Sequence, residues 1–259
     1  MPELPDLIVF AENLDQLIRG KTITEVSHNE PARLNVPVGE LSAALKGKKV
    51  AGVERTGKEM LIRLSEGDLL FIHLMLNGGF AFGRGHGPAG STMFVLGFQD
   101  GSSLALNDPK RLATVSLNPK RVDTATDALS VTADYLKEMF RQKPKAAVKA
   151  LLIDQKMIGG IGNAYADEIL WEARISPKSA AGKIPQDAIG ALAAAIHSVL
   201  NDATNYLRSS HPGIISGEIR DFLKVHNPSR SLSPTGHRIL KEQISSKTTY
   251  FTEEQRLYT

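Results

Sequence analysis

Apolar positions recur at helical spacing at the start of the chain and change to alternating runs soon after. Leu4, Leu7, Ile8, Ala11, Leu14, Leu17 and Ile18 fall on one stripe and Gly20 follows as a stop, so the spacing predicts a helix over 3–19. Packing that stripe on a sheet would hold the residues at the helix start in place. From Thr22 to about Leu117 the pattern becomes TITEVSH, KVAGVERT, MLIRL, LLFIHLML, FAFG, TMFVLGF, SLAL and LATVSL, with Gly57, Gly67 and Gly101 in turn contexts. These runs predict an antiparallel β-sandwich or barrel, interrupted by a short helical patch at GELSAALKG. Residues 118–131 hold few large apolar side chains and read as a linker. Beyond them TADYLKEMFRQ, KAAVKALLID, NAYADEILWEARI and QDAIGALAAAIHSVLNDATNYLR are helical in period. The tail gives two β-prone runs, RILKEQI and KTTYF, around Ser245 and Ser246, a hairpin too small to stand alone and so expected to pack on the helices. The expected fold is an α+β multidomain chain. It divides into an N-terminal helix with an antiparallel β-sandwich over 1–118, a linker over 119–131, a helical domain over 132–224 and a terminal β-hairpin over 225–259.

Composition narrows this without deciding it. The 259 residues contain no cysteine, which excludes disulfides and cysteine-ligated zinc, while seven histidines leave other metal chemistry open. No apolar run approaches the roughly 18 residues of a membrane span, and no basic segment followed by an apolar stretch opens the chain, so a cytoplasmic protein is expected. A net charge of +3 and a pI near 9.0 permit a polyanionic partner without demanding one.

Candidate chemistry begins at MPELPD. Removal of Met1, which a small residue at position 2 permits, turns Pro2 into a secondary α-amine with an ordinary pKa of about 7.7–8.0, appreciably neutral near physiological pH. Such an amine attacks an aldehyde carbon to give an iminium, an electron sink for elimination at the next carbon. Glu3 adjoins it as a carboxyl for proton transfer, with Asp6 one turn on. The same residues equally suit a plain helix start, with proline in the first turn and acids at its positive end. Lys58 follows Gly57 at a strand entry, a position that also suits a solvated lysine, and HLMLNGG ends a strand in a glycine-rich loop. In NDPKRLA, Lys110 and Arg111 follow an Asp-Pro turn, where they either reach phosphates or decorate a surface. Between two helices, DQKMIGGIGN sets three glycines before Asn163, flanked by Lys149 and Lys156. A glycine turn with exposed amides at a helix N-terminus, Gly162 among them, can hold a phosphate; a tight helix–helix turn is the equal alternative. The GxxxxGK[ST] spacing is missing, so nucleotide hydrolysis gains no support.

In this order, MPELPD, IDQKMIGGIGNAYADEIL and a basic terminal hairpin containing SKTTYF resemble the formamidopyrimidine-DNA glycosylase and endonuclease VIII family over essentially the whole chain. The resemblance implies a helix-two-turn-helix motif in the helical domain and a hairpin that is usually a zinc finger. It implies that Pro2 is the Schiff-base nucleophile at C1′ of a flipped-out damaged nucleotide, that Glu3 is the general acid–base on the sugar, that Lys58 is the active-site lysine, and that Asn163 contacts the DNA backbone. Lys247 takes the place of the finger's phosphate-binding arginine, which keeps the charge and loses bidentate geometry. The residues that fill the gap left by the extruded base align with Leu76, Lys110 and Leu112, a phosphate-contacting histidine aligns with Met93, and Asp6 replaces the usual glutamate of PELPE. The four zinc cysteines align with Leu232, Thr235, Thr252 and Gln255, so the resemblance implies a zincless hairpin held by packing, with no metal or other cofactor. The stretch from Ser209 to Asp221 is shorter than in 8-oxoguanine-reading members, and lesion preference is not carried over. The implied function is a bifunctional DNA glycosylase and abasic-site lyase of base excision repair, a monomer acting on double-stranded DNA with damaged bases or abasic sites. The alternative is a non-catalytic damaged-DNA-binding homologue of the same fold.

Overall fold

The computed structural model describes residues 1–29, 33–85, 90–120 and 125–259. These form two compact units, Met1–Val122 with Leu207–Glu218, and Asp123–Tyr206 with Ile219–Thr259. Among the described residues no helix is long and apolar enough to cross a membrane.

In the first unit, α1 (Leu4–Ile18) opens with Pro5 in its first turn and a capping box in which the Glu3 N–H donates to the Asp6 carboxylate at 2.8 Å. Asp6 therefore replaces glutamate at a structural position, where the shorter carboxylate still reaches the backbone. Of the expected stripe Leu4, Leu7, Ala11, Leu14 and Ile18 are buried, while Ile8 and Leu17 are half-buried. After Gly20, at φ +79°, come β1 (Ile23–His28), β2 (Arg33–Leu34), α2 (Val38–Leu45), β3 (Val50–Thr56), β4 (Glu59–Leu64), β5 (Leu69–His73), β6 (Gly79–Arg84), β7 (Thr92–Phe98), β8 (Ser102–Asn107) and β9 (Thr114–Leu117). One sheet runs β1-β7-β8-β6 and the other β2-β9-β5-β4-β3; all pairs are antiparallel except β2 with β9. Phe80, Phe94 and Leu106 of the first sheet, Met60, Ile62 and Val115 of the second, and the inner faces of α1 and α2 share one core. This is the expected sandwich.

Two boundaries differ from those expected. Residues Leu207–Glu218, the last turn of the long helix and the loop after it, belong to the sandwich unit. Arg208 forks onto the Glu12 carboxylate at 2.6 and 2.8 Å, the Asn13 amide donates to the Ile214 carbonyl at 2.7 Å, and Ile214 and Ile215 pack on the core. Of the expected linker, Thr126 and Asp127 form β10, which pairs in parallel with β11 (Ile158–Gly159) inside the glycine turn. The part of the linker at 121–124 lies outside the described residues.

The second unit contains α3 (Ala133–Gln142), capped by Thr132, then α4 (Val148–Leu152), α5 (Asn163–Glu172) and α6 (Gln186–Ser210) as far as Tyr206, and last β12 (Leu240–Ile244) and β13 (Lys247–Phe251). Ser245 and Ser246 both sit at positive φ, 51° and 61°, and close the expected two-residue hairpin from Ile244 to Lys247. The hairpin does pack on the helices. Asn163 donates to the Thr248 carbonyl at 2.8 Å, and the Tyr250 N–H donates to Asp167 at 2.9 Å.

Candidate active site

Pro2 is buried at the start of α1, and Glu3 is 4% exposed. Pro2 lines a cavity of about 240 Å³ with Leu76, Asn77, Gly78, Ser216, Gly217 and Glu218. The loop bearing Leu76 is locked from below: the Gly78 N–H donates to the Leu74 carbonyl at 2.9 Å and the Met75 N–H to His73 Nδ1 at 2.9 Å. A side chain at Gly78 would run into that carbonyl, and one at Gly79 into the Ser216 hydroxyl, so the glycines allow the two walls to approach. Leu76 rides on this loop 49% exposed, an apolar side chain held in solvent beside Pro2. The Met1 ammonium pairs with the Glu218 carboxylate. Lys58 forms, with Gly57 at φ +54°, the two-residue turn between β3 and β4, yet it is only 8% exposed. A solvated strand-end lysine does not describe it.

The Lys110–Leu112 loop has an organiser that sequence reasoning missed. Asp108, fully buried, accepts the N–H groups of Lys110 at 2.9 Å, Leu112 at 2.7 Å and Ala113 at 2.8 Å. The signal was the aspartate of the Asp-Pro turn, whose carboxylate reaches amides two to five residues on. Held this way, Lys110 is exposed, Leu112 half-buried and Arg111 fixed at φ +53°. Met93 is 3% exposed within the sandwich core and offers nothing to a phosphate.

In the second unit the glycine turn is stapled by one side chain. Gln155 donates to the Ile153 and Ile161 carbonyls at 2.9 and 2.7 Å and accepts the Gly160 N–H at 3.1 Å. Only Gly160 of the three glycines is at positive φ, 107°; Gly159 is in β11 and Gly162 is the extended N-cap of α5. Asn163 is therefore the first helical residue rather than the cap. Its Oδ1 is buried with no donor among the described residues. Lys156 is exposed beside the turn. Lys149 departs from its expected role as a phosphate ligand. It is fully buried, 2.6 Å from Asp167 Oδ1 and donating to the Thr249 hydroxyl at 2.7 Å, and it reaches no phosphate from there. Asp167 also meets His226 Nδ1 at 2.7 Å. Next to it Glu168, pushed up by burial against the pull of three backbone amides from Lys224, Val225 and His226, fixes the segment after the long helix.

Lys247 is exposed at the hairpin turn. Of the four positions aligned with zinc cysteines, Leu232 is exposed, Gln255 is buried on the Ile175 carbonyl, and Thr235 and Thr252 donate to Glu254 at 2.7 and 3.1 Å. That set supplies no thiolate or imidazole and does not fit a metal. Polar contacts join the packing there, because Glu254 also takes donors from Trp171 at 3.3 Å, Ser233 at 3.3 Å and Arg174 at 2.8 Å. Burial raises its pKa, the hydroxyls, indole and guanidinium lower it further, and the carboxyl rests at about 2. Its contribution to stability is complete above the ordinary value of 4.5 and is lost as pH falls toward 2. Glu254→Ala is expected to cost about 1–3 kcal/mol by stranding these donors. Fluorescence of Trp171, the single tryptophan, reads the loss in denaturant melts, and an unchanged midpoint refutes it.

Residues 1–115 match the formamidopyrimidine-DNA glycosylase N-terminal domain and residues 123–211 the formamidopyrimidine-DNA glycosylase H2TH domain. A formamidopyrimidine-DNA glycosylase of Pelotomaculum thermopropionicum is 30% identical over 97% of this chain and 97% of its own, and one of Chloroflexus aggregans is 35% identical over 78% and 77%. The Lactococcus lactis formamidopyrimidine-DNA glycosylase, solved non-covalently bound to DNA with an abasic site, superposes with a TM-score of 0.86 at 22% identity over 98% of this chain and 100% of its own. At that identity the likeness shows the fold.

Proposed function

Because the chain belongs to the formamidopyrimidine-DNA glycosylase family, we propose that it excises oxidised bases from double-stranded DNA and cuts the strand at the resulting abasic site through a Schiff base on Pro2. The observation that carries this reading is the cavity bounded by Pro2 and by Leu76 on its locked loop. A nucleophile at the wall of a cavity needs a base taken out of the stack, and an exposed leucine beside it is the wedge that fills the gap. On removal of Met1 the Pro2 nitrogen adds to C1′ as the C1′–base bond breaks, and the proton the nitrogen sheds goes to the departing base. Opening of the C1′–O4′ bond, with Glu3 giving O4′ a proton, leaves the iminium. Loss of a C2′ proton then expels the 3′ phosphate by cleavage of C3′–O. A water nucleophile leaves no iminium, so glycosylase and lyase activities follow together from the amine.

Lys58 is assigned to the phosphates at the lesion. Lys110, Arg111 and Leu112 are assigned to the gap and its flanking phosphates, and Lys156, Gly162, Asn163 and Lys247 to the backbone. We place the activity in the cytoplasm, with the chain acting as a monomer. The test is borohydride trapping on oligonucleotides carrying an abasic site, a formamidopyrimidine, 8-oxoguanine or an oxidised pyrimidine, with removal of Met1 checked by mass spectrometry. The expected product is a covalent adduct on the N-terminal peptide with the abasic site and at least one lesion. Salt-sensitive DNA binding by processed protein without an adduct on any oligonucleotide overturns the reading.

A further inference from the structure

Among the described residues that line the Pro2 cavity, Glu218 alone is ionisable. Its carboxylate already pairs with the chain's terminal ammonium, on the residue whose Cα lies about 3.8 Å from that of Pro2. The backbone leading into the turn at Gly217, φ +89°, is fixed: the Ile214 carbonyl accepts from Asn13, and Ser216 abuts Gly79. The Glu218 side chain itself is 34% exposed and has three torsions with which to follow the terminus. Among the described residues of this unit the buried ionisable groups are Glu3, Asp6, Lys58 and Asp108. Glu3 and Asp6 are joined in the capping box, Asp108 serves the amides of its own loop, and Lys58 is a cation at the β3–β4 turn.

We propose that Glu218 is the counter-ion of the reacting nitrogen: once Met1 is removed it pairs with the Pro2 ammonium and then with the iminium formed from it. This rests on Pro2 being the nucleophile. Ammonium and iminium are both cations, whereas the free amine between them is neutral. A carboxylate beside the nitrogen therefore holds the amine protonated to higher pH and also stabilises the positive charge that develops as the iminium forms.

The two effects separate in a pH profile. Glu218→Gln is expected to move the acid limb of borohydride trapping on abasic-site DNA down by about one pH unit, and to lower the plateau above it about 10-fold. On the acid side the two changes cancel, so wild-type and variant rates coincide at low pH and diverge as pH rises. A purely structural contribution of Glu218 lowers the whole profile by one factor and leaves the limb in place. Trapping rates from pH 5 to 9 on Met1-processed wild-type and variant protein decide the matter. A variant profile that is unchanged, or lowered uniformly, overturns the assignment of Glu218. Absence of any wild-type adduct overturns the Pro2 reading instead.

Discussion

Protein that keeps Met1 is expected to give no borohydride-stable adduct with abasic-site DNA, a loss on the order of 10³-fold or more against processed protein. With Met1 in place the Pro2 nitrogen is a tertiary amide whose lone pair is delocalised into the carbonyl, and it does not add to C1′. The amine then at the terminus is that of Met1, paired with the Glu218 carboxylate. It is displaced by a residue from the position that α1 fixes for Pro2. The measurement is trapping by matched samples, one processed and one blocked by an uncleavable residue before Pro2, with equal DNA affinity confirmed at the same salt. Equal trapping by the two samples would place the Schiff base on another amine.

Which features are legible in the sequence, and which are hidden, depends on the range of each interaction. Helix α1, the strands of the sandwich and the Ser245–Ser246 hairpin are written in local periodicity and turn chemistry, and each was legible. The paired strands of two residues, Arg33–Leu34, Thr126–Asp127 and Ile158–Gly159, are too short to show any alternation. The assignment of Leu207–Glu218 to the sandwich unit depends on Arg208 with Glu12 and Asn13 with Ile214, pairs about two hundred positions apart that no window along the chain contains. At the candidate site, Pro2, Glu3 and Asn163 were legible as motif residues. The wall supplied by Ser216, Gly217 and Glu218 was not, because those residues become neighbours of Pro2 only through the fold. Lys149 misled for the same reason: beside a glycine turn it reads as a phosphate ligand, and only the return of Asp167 on α5 makes it a core residue.

That return sets the second large effect. Asp167→Ala is expected to destabilise the second unit by about 3–5 kcal/mol, because it removes the carboxylate that lies 2.6 Å from a fully buried Lys149 ammonium. The same change removes the acceptor shared by His226 and the Tyr250 amide. Three segments, α4, the His226 turn and β13, lose their common anchor at one position. Replacing both charges by apolar side chains of similar size, Lys149→Met with Asp167→Leu, removes the stranded ion and is expected to recover the part of the loss due to it, while the His226 and Tyr250 donors stay without their acceptor. Denaturant unfolding followed at Trp171, within the same unit, reads both variants; an Asp167→Ala cost below about 1 kcal/mol would show that the pair is no anchor. The double variant also decides the role of Lys149. A lysine that neutralises a phosphate contributes about one to the slope of log affinity against log salt, so the folded double variant is expected to keep the wild-type slope, whereas Lys247→Ala is expected to lower it by about one.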